Sequence, residues 1–140
     1  MQKRLKVQVV VISIKEKTSL LMQVNKRRGS FWQNITGGVD NSEPLLSACL
    51  RELYEETGIQ KDRIKSHHKL ELTYSFVDQY GHDVTEHCYL VTIDEQMKIS
   101  IDKDEHQHYK WICISEINKS HYFFDSNYHA FLESVKFLSI

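Results

Sequence analysis

The chain has 140 residues, the length of one domain, and we read residues 1–140 as such. It is 41% hydrophobic and 26% charged, an ordinary globular composition that excludes disorder as a description of the whole. Eighteen basic residues against nineteen acidic ones leave a net charge of -1, so no broad basic field exists to coat nucleic acid. The three cysteines, Cys49, Cys88 and Cys113, are far apart, lack CxxC spacing and sit among apolar neighbours. They read as small buried thiols in a reducing compartment, which points to the cytoplasm.

Lys3 and Arg4 precede the apolar run from Val7 to Ile14, an arrangement a secretory leader also shows. Gln8 and Ser13 interrupt that run and no small-residue cleavage site follows, so residues 7–14 are expected to form a buried strand. No segment approaches the ~20 apolar residues of a membrane span, and no membrane partner is expected. Ser19 to Asn25 reads as a second strand, and Lys26 to Ser30 as a polar loop. Phe31 to Ile35 reads as a short strand before Gly37 and Gly38. Residues 43–57 are expected to be helical. Asn41 or Ser42 is the expected cap, Pro44 suits the first turn, and Gly58 suits a left-handed end. Leu45, Leu46, Cys49, Leu50 and Leu53 share its apolar face.

Strands then return. Leu70, Leu72, Tyr74 and Phe76 alternate with polar residues, and Tyr80-Gly81-His82 is a turn. Val84–Ile93, Lys98–Ile101 and Tyr109–Ile114 are three further expected strands. Residues 126–138 read as an amphipathic helix, with Phe131, Leu132, Val135 and Leu138 on one face. The sum is a mixed α/β or α+β domain. The tight histidine pairs, His67-His68 and His106-x-His108, lack a cysteine partner at zinc spacing and read as exposed or hydrogen-bonded structural residues. His87 is expected to point to the sheet face opposite its neighbour Glu86.

The chemistry concentrates in residues 37–59, GGVDNSEPLLSACLRELYEETGI. Glu52, Glu55 and Glu56 fall within about a 100° sector of one helix. Three clustered carboxylates repel one another, and a helix C-terminal half disfavours negative charge. Local stability does not account for them, whereas a divalent cation such as Mg²⁺ or Mn²⁺, which prefers hard oxygen ligands, does. Outside this stretch, Glu86 shares an expected strand face with Cys88 and Leu90. A charge on an apolar face costs several kcal/mol unless paired or bound to metal, so Glu86 is a candidate metal or base residue, the alternative being a strand end that reaches water.

Gly37, Glu43, Arg51, Glu52, Leu53, Glu55, Glu56, Gly58 and Ile59 fill every fixed position of G-x5-E-x7-R-E-U-x-E-E-x-G-U, where U is a bulky aliphatic. A chance match is on the order of one in a billion per starting point. This is the Nudix box, and the chain resembles the Nudix hydrolase family over essentially its whole length. The resemblance implies an α/β/α sandwich with a mixed central sheet. It also implies Mg²⁺- or Mn²⁺-dependent attack of water on a phosphoanhydride. On that reading Glu52, Glu55 and Arg51 form the catalytic set, and Glu52, Glu55, Glu56, Glu86 and the Gly37 carbonyl the metal set. Glu43 and Arg51 pair to hold the loop on the helix, and Gly58 is structural.

Phe31-Trp32-Gln33-Asn34-Ile35-Thr36-Gly37, Thr85-Glu86 with Tyr89-Leu90, Glu105-His106-Gln107-His108-Tyr109-Lys110-Trp111 and Ser126-Asn127 resemble, in order and spacing, segments of bacterial dihydroneopterin triphosphate pyrophosphatases, which are also described as dATP pyrophosphohydrolases. This implies a small-molecule triphosphate as substrate, cleaved to a monophosphate and pyrophosphate, a step towards folate. Phe31, Trp32, Gln33 and Asn34 are candidates for a planar ring. Lys26, Arg27 and Arg28 are candidates for the triphosphate, one of the three being expected to bind it. Two alternatives are a general (deoxy)nucleoside triphosphate pyrophosphohydrolase and a dinucleoside polyphosphate hydrolase. A third is a nucleotide-binding module without catalysis. Monomer and homodimer are both compatible with the sequence.

Overall fold

The computed structural model describes residues 3–140. Seven strands make one mixed sheet: β1 (Lys3–Ser13), β2 (Thr18–Val24), β3 (Trp32–Gln33), β4 (Ile35–Gly38), β5 (Ile64–Val77), β6 (Asp83–Ile93) and β7 (His106–Cys113). Two helices, α1 (Leu45–Thr57) and α2 (Asp125–Leu138), complete the fold. β1 lies beside β6 in parallel, and the other pairings among the described residues are antiparallel. β4 pairs with β1, and β7 pairs with β2.

Side-chain alternation along β1 sorts the two layers of core. Val7, Val9 and Val11 pack with Tyr89, Val91 and Ile35 against Ala48, Cys49 and Leu53 of α1. Val10 and Ile12 pack with Cys88 and Leu90 against Ala130 of α2. A helix therefore covers each face of the sheet, which is the expected α/β/α sandwich. Burying each of these aliphatic side chains contributes roughly 1.5–3 kcal/mol.

Several boundaries differ from the sequence reading. Residues 98–101 form no strand: Ile99 is buried, but the Ser100 amide donates to the Thr57 carbonyl at the end of α1. Their apolar alternation reflects burial of a loop, not a ladder. α1 begins at Leu45 with Pro44 as its N-cap, and neither Asn41 nor Ser42 caps it by a side chain. Ser42 instead takes a left-handed turn, φ 63°. Gly58 ends α1 at φ 79°, its amide donating to the Tyr54 carbonyl. The expected 31–35 strand is two short pieces, β3 and β4, and the second carries Gly37 and Gly38. Cys113 is exposed, unlike Cys49 and Cys88. Leu132 of α2 is exposed as well, while Phe131 is buried.

A buried polar chain ties α2 to the sheet. The Asn34 amide donates to Asn127 Oδ1 at 2.7 Å. Asn34 Nδ2 donates to the Asn127 carbonyl and to Gln8 Oε1, and Gln8 Nε2 donates to Glu86 Oε1 at 2.8 Å. Asn127→Ala strands the Asn34 amide in a dry interior. The expected loss is about 1–3 kcal/mol, read by urea unfolding as a lower midpoint at an unchanged slope.

Candidate active site

α1 presents its acidic face because its apolar stripe is fixed against the sheet. Glu52 and Glu56, one turn apart, are both buried, whereas Glu55 is exposed. Arg51 organises the approach. Its Nε and Nη2 donate to both oxygens of Glu43 at 2.9 Å, its Nη2 also to the Gly38 carbonyl at 2.8 Å, and its Nη1 to Glu52 Oε1 at 3.0 Å. Nη1 reaches Glu55 at 3.3 Å. One guanidinium thus locks the loop, the strand β4 and the helix together. Its bidentate grip takes the Glu43 carboxyl down to about 2.

Gly37 faces Glu52 so closely that a Cβ at position 37 would fall on the Glu52 Cγ, Cδ and Oε2 atoms. Burial, the largest influence, pushes the Glu52 carboxyl up to about 7; Arg51 opposes this and the nearby Glu55 and Glu56 add to it. In metal-free protein, folded Glu52 keeps its proton to higher pH than the unfolded chain does. Stability therefore falls as pH rises from about 4.5 through 7. With chelator present, Tm is expected to drop between pH 5 and 8, less steeply in Glu52→Gln. Adding Mn²⁺ at pH 8 should recover it. An unchanged slope in Glu52→Gln would remove Glu52 as the source.

The buried carboxylates of α1, Glu52 beside Gly37 and Glu56 one turn on, fit a hard divalent cation. Glu52 is a desolvated carboxylate, and Oε2 of Glu56 is buried without a hydrogen-bond partner among the described residues. Among the described residues no three His, Cys, Asp or Glu side chains converge on one point. Two carboxylates suit a cation that keeps several waters and takes its remaining oxygens from substrate phosphates.

Glu86 is not brought to this cluster. It is buried on the sheet face of Gln8 and Cys88, the face that α2 covers, while Glu52 and Glu56 belong to the α1 side. Its charge is met by Gln8 and Lys6, and burial raises its carboxyl. Alternation placed Glu86 with Cys88 and Leu90, but could not tell which helix covers that face. His106, in contrast, was expected to be exposed or hydrogen-bonded, and among the described residues it is neither. It is 2% exposed, and its Nδ1 lies 2.7 Å from Glu56 Oε2, off the line of a hydrogen bond.

The proposed substrate residues divide. Gln33 and Asn34 are buried, and Asn34 is committed to the polar chain to α2. Trp32 is half-buried with Lys110 Nζ 4.2 Å above its ring. Phe31 stacks on Phe123 at 4.7 Å and meets Phe124 edge-on at 5.3 Å. Phe123 and Phe124 are largely exposed and lie in a loop before α2, where no periodicity marks them. In the basic turn, Arg28 pairs with Glu105 and Arg27 donates to the Asp104 carbonyl. Lys26 is exposed and makes no ion pair among the described residues.

The family model described as the NUDIX domain matches residues 3–132. The chain belongs to the Nudix family. A curated RNA pyrophosphohydrolase from Wolbachia sp. subsp. Brugia malayi (strain TRS) is 40% identical over 50 residues, 36% of this Nudix chain and 31% of that protein. The match thus spans less than a third of that relative's length. The solved structure of the E. coli dihydroneopterin triphosphate pyrophosphohydrolase superposes with a TM-score of 0.78 at 22% identity, covering 94% of this chain and 95% of that one. A C. elegans Ap4A hydrolase binary complex superposes at 0.74 with 20% identity, covering 99% and 98%. These two likenesses establish the shared fold. Among the described residues no helix is long and apolar enough to cross a membrane.

Proposed function

We propose that this Nudix protein is a divalent-metal-dependent pyrophosphohydrolase that cleaves a small-molecule triphosphate to a monophosphate and pyrophosphate. The observation that carries the reading is the pair of buried carboxylates one turn apart on α1, Glu52 held beside Gly37 by Arg51 and Glu56 against His106. Glu52, Glu56 and the Gly37 carbonyl would hold Mg²⁺ or Mn²⁺, with exposed Glu55 available for a further ion or for proton transfer. A bound cation there neutralises phosphate charge and lowers the pKa of a coordinated water.

The residues of the chain do the rest. Arg51 fixes Glu52 in position and keeps the loop closed on the helix. Water adds to one phosphorus and gives up a proton, to a carboxylate such as Glu55 and from there to solvent, while the anhydride P–O bond breaks and pyrophosphate leaves with the electron pair. Lys26, exposed and without an ion pair among the described residues, is the member of the basic turn most free to meet the triphosphate. The Phe31–Phe123–Phe124 cluster offers an accessible aromatic surface on which a planar ring could stack. Together with the four sequence segments that resemble those of dihydroneopterin triphosphate pyrophosphatases, this favours 7,8-dihydroneopterin triphosphate, dATP or both as substrate.

The test is pyrophosphate release with Mg²⁺ at equal concentrations of 7,8-dihydroneopterin triphosphate, dATP, 8-oxo-dGTP, the common nucleotides and a dinucleoside polyphosphate. The expected result is a kcat/KM for the pterin or dATP about tenfold above the others, ~1.4 kcal/mol of discrimination. A flat profile, or one led by another nucleotide, would keep the chemistry and remove the specificity. Ligand binding without turnover on any of them would remove the enzyme.

A further inference from the structure

His106 is a buried imidazole with no role in the chemistry described above. It opens β7, and its position is set by the backbone around it. The His106 amide donates to the Asp102 carbonyl at 2.8 Å, and the Asn25 amide donates to the Glu105 carbonyl at 3.0 Å. β2 and β7 pair regularly from Thr18–Cys113 to Gln23–His108, and the register then shifts so that Val24 faces His106. Such an irregularity re-aims a side chain. Here it turns His106 into the α1 side of the core, where Val24 is fully buried, while His108 two residues on stays exposed.

The imidazole arrives against one group. Nδ1 lies 2.7 Å from Oε2 of Glu56, and both side chains are almost completely buried. The approach is off the line of a hydrogen bond, and among the described residues neither Oε2 nor either ring nitrogen of His106 has a hydrogen-bond partner, so each is the nearest group available to the other. A buried carboxylate oxygen without a donor is costly, and a buried imidazole placed against it is not an accident of surface packing.

We propose that His106 is a positioning residue: its Nδ1 holds Oε2 of Glu56, fixing the carboxylate so that Oε1 is left for the divalent cation. The inference rests on the reading of Glu56 as a metal ligand. Groups that orient ligating side chains typically change metal affinity about ten- to a hundredfold when removed. Arg51 already performs this service for Glu52 through Nη1, and His106 would perform it for Glu56. The two carboxylates would then be held from opposite ends of the site, one by the loop-locking arginine and one by the sheet.

The experiment measures Mn²⁺ binding to the intact protein by the loss of the free-ion EPR signal. Glu56→Gln, His106→Phe, His106→Asn, His106→Gln and the double variant Glu56→Gln/His106→Phe are compared with wild type. His106→Phe fills the space without a donor, and its Kd is expected to rise about ten- to a hundredfold. His106→Asn puts an amide N–H near the Nδ1 position and should recover most of the affinity. His106→Gln puts it near Nε2 and should not. In the Glu56→Gln background, His106→Phe should add nothing. If Glu56→Gln weakens binding while His106→Phe leaves it within twofold of wild type, the positioning role is overturned and the metal site stands. Additive losses in the double variant would also overturn it, since they indicate a packing effect. If Glu56→Gln itself leaves Mn²⁺ binding unchanged, the metal reading falls. Should His106→Phe fail to fold, the Asn and Gln variants decide: equal affinities overturn the proposal.

Discussion

Glu56→Gln is expected to lower kcat on the preferred triphosphate by on the order of a thousandfold, ~4 kcal/mol of transition-state stabilisation, with the fold intact. The substitution keeps the size of the side chain and removes one charge. Nothing in the apolar core depends on that charge, because Leu53, Cys49 and Ala48 carry the packing of α1. In the absence of metal Tm should be kept, since a buried charge no longer has to be desolvated while the weaker contact of a neutral amide with His106 offsets the gain. The combination of a collapsed kcat with a retained Tm separates a functional carboxylate from a structural one. Glu52→Gln should behave similarly, tempered by the lost ion pair to Arg51. Glu43→Gln is the contrasting case. It breaks the bidentate pair that fixes the loop, so it should lower Tm as well as activity. A Glu56→Gln protein that retained more than a tenth of wild-type kcat would dismiss the two-carboxylate site.

How far the sequence could be read depended on the range of the forces involved. α1 and its acidic face were legible because a helical period is local: the stripe of Leu45, Cys49 and Leu53 fixes where Glu52 and Glu56 point. The Glu43–Arg51 pair followed from the Nudix resemblance and is present in the structure. Glu86 shows where reading stopped. Strand alternation assigned it correctly to the face of Cys88 and Leu90. Whether α1 or α2 lies over that face depends on the order of strands in the sheet, which no local pattern carries. Gln8 was visible as an interruption of an apolar run, but its partners Asn34 and Glu86 are 26 and 78 residues away. His106 was hidden for a third reason. One extra residue in β7, Gln107, shifts the pairing between Gln23–His108 and Val24–His106 and turns the imidazole inward, and a shift of register is a property of two strands together. Phe123 and Phe124 lie in an aperiodic loop, so only the stacked geometry with Phe31 reveals them.

Gly37→Ala is the second large effect, and it requires only one methyl group. The added Cβ would overlap the carboxyl end of Glu52, which is the movable part of a flexible side chain rather than backbone. The backbone at 37 is not in the left-handed region, so alanine brings no conformational strain there. The strand can therefore keep its pairing with Val7, and Glu52 must swing away instead. In doing so it leaves the Arg51 Nη1 that holds it at 3.0 Å. The expected outcome is a loss of kcat of about a hundredfold or more, from a displacement on the order of an ångström. Stability should change by no more than about 1–2 kcal/mol in urea unfolding. The neighbouring position supplies the control. A Cβ at Gly38 meets nothing within 4 Å, so Gly38→Ala should retain near-wild-type activity although it is one residue away in the same strand. Equal losses at 37 and 38 would mean that glycine serves the backbone of β4. A loss confined to 37 means that the strand omits a side chain there to make room for the Glu52 carboxylate.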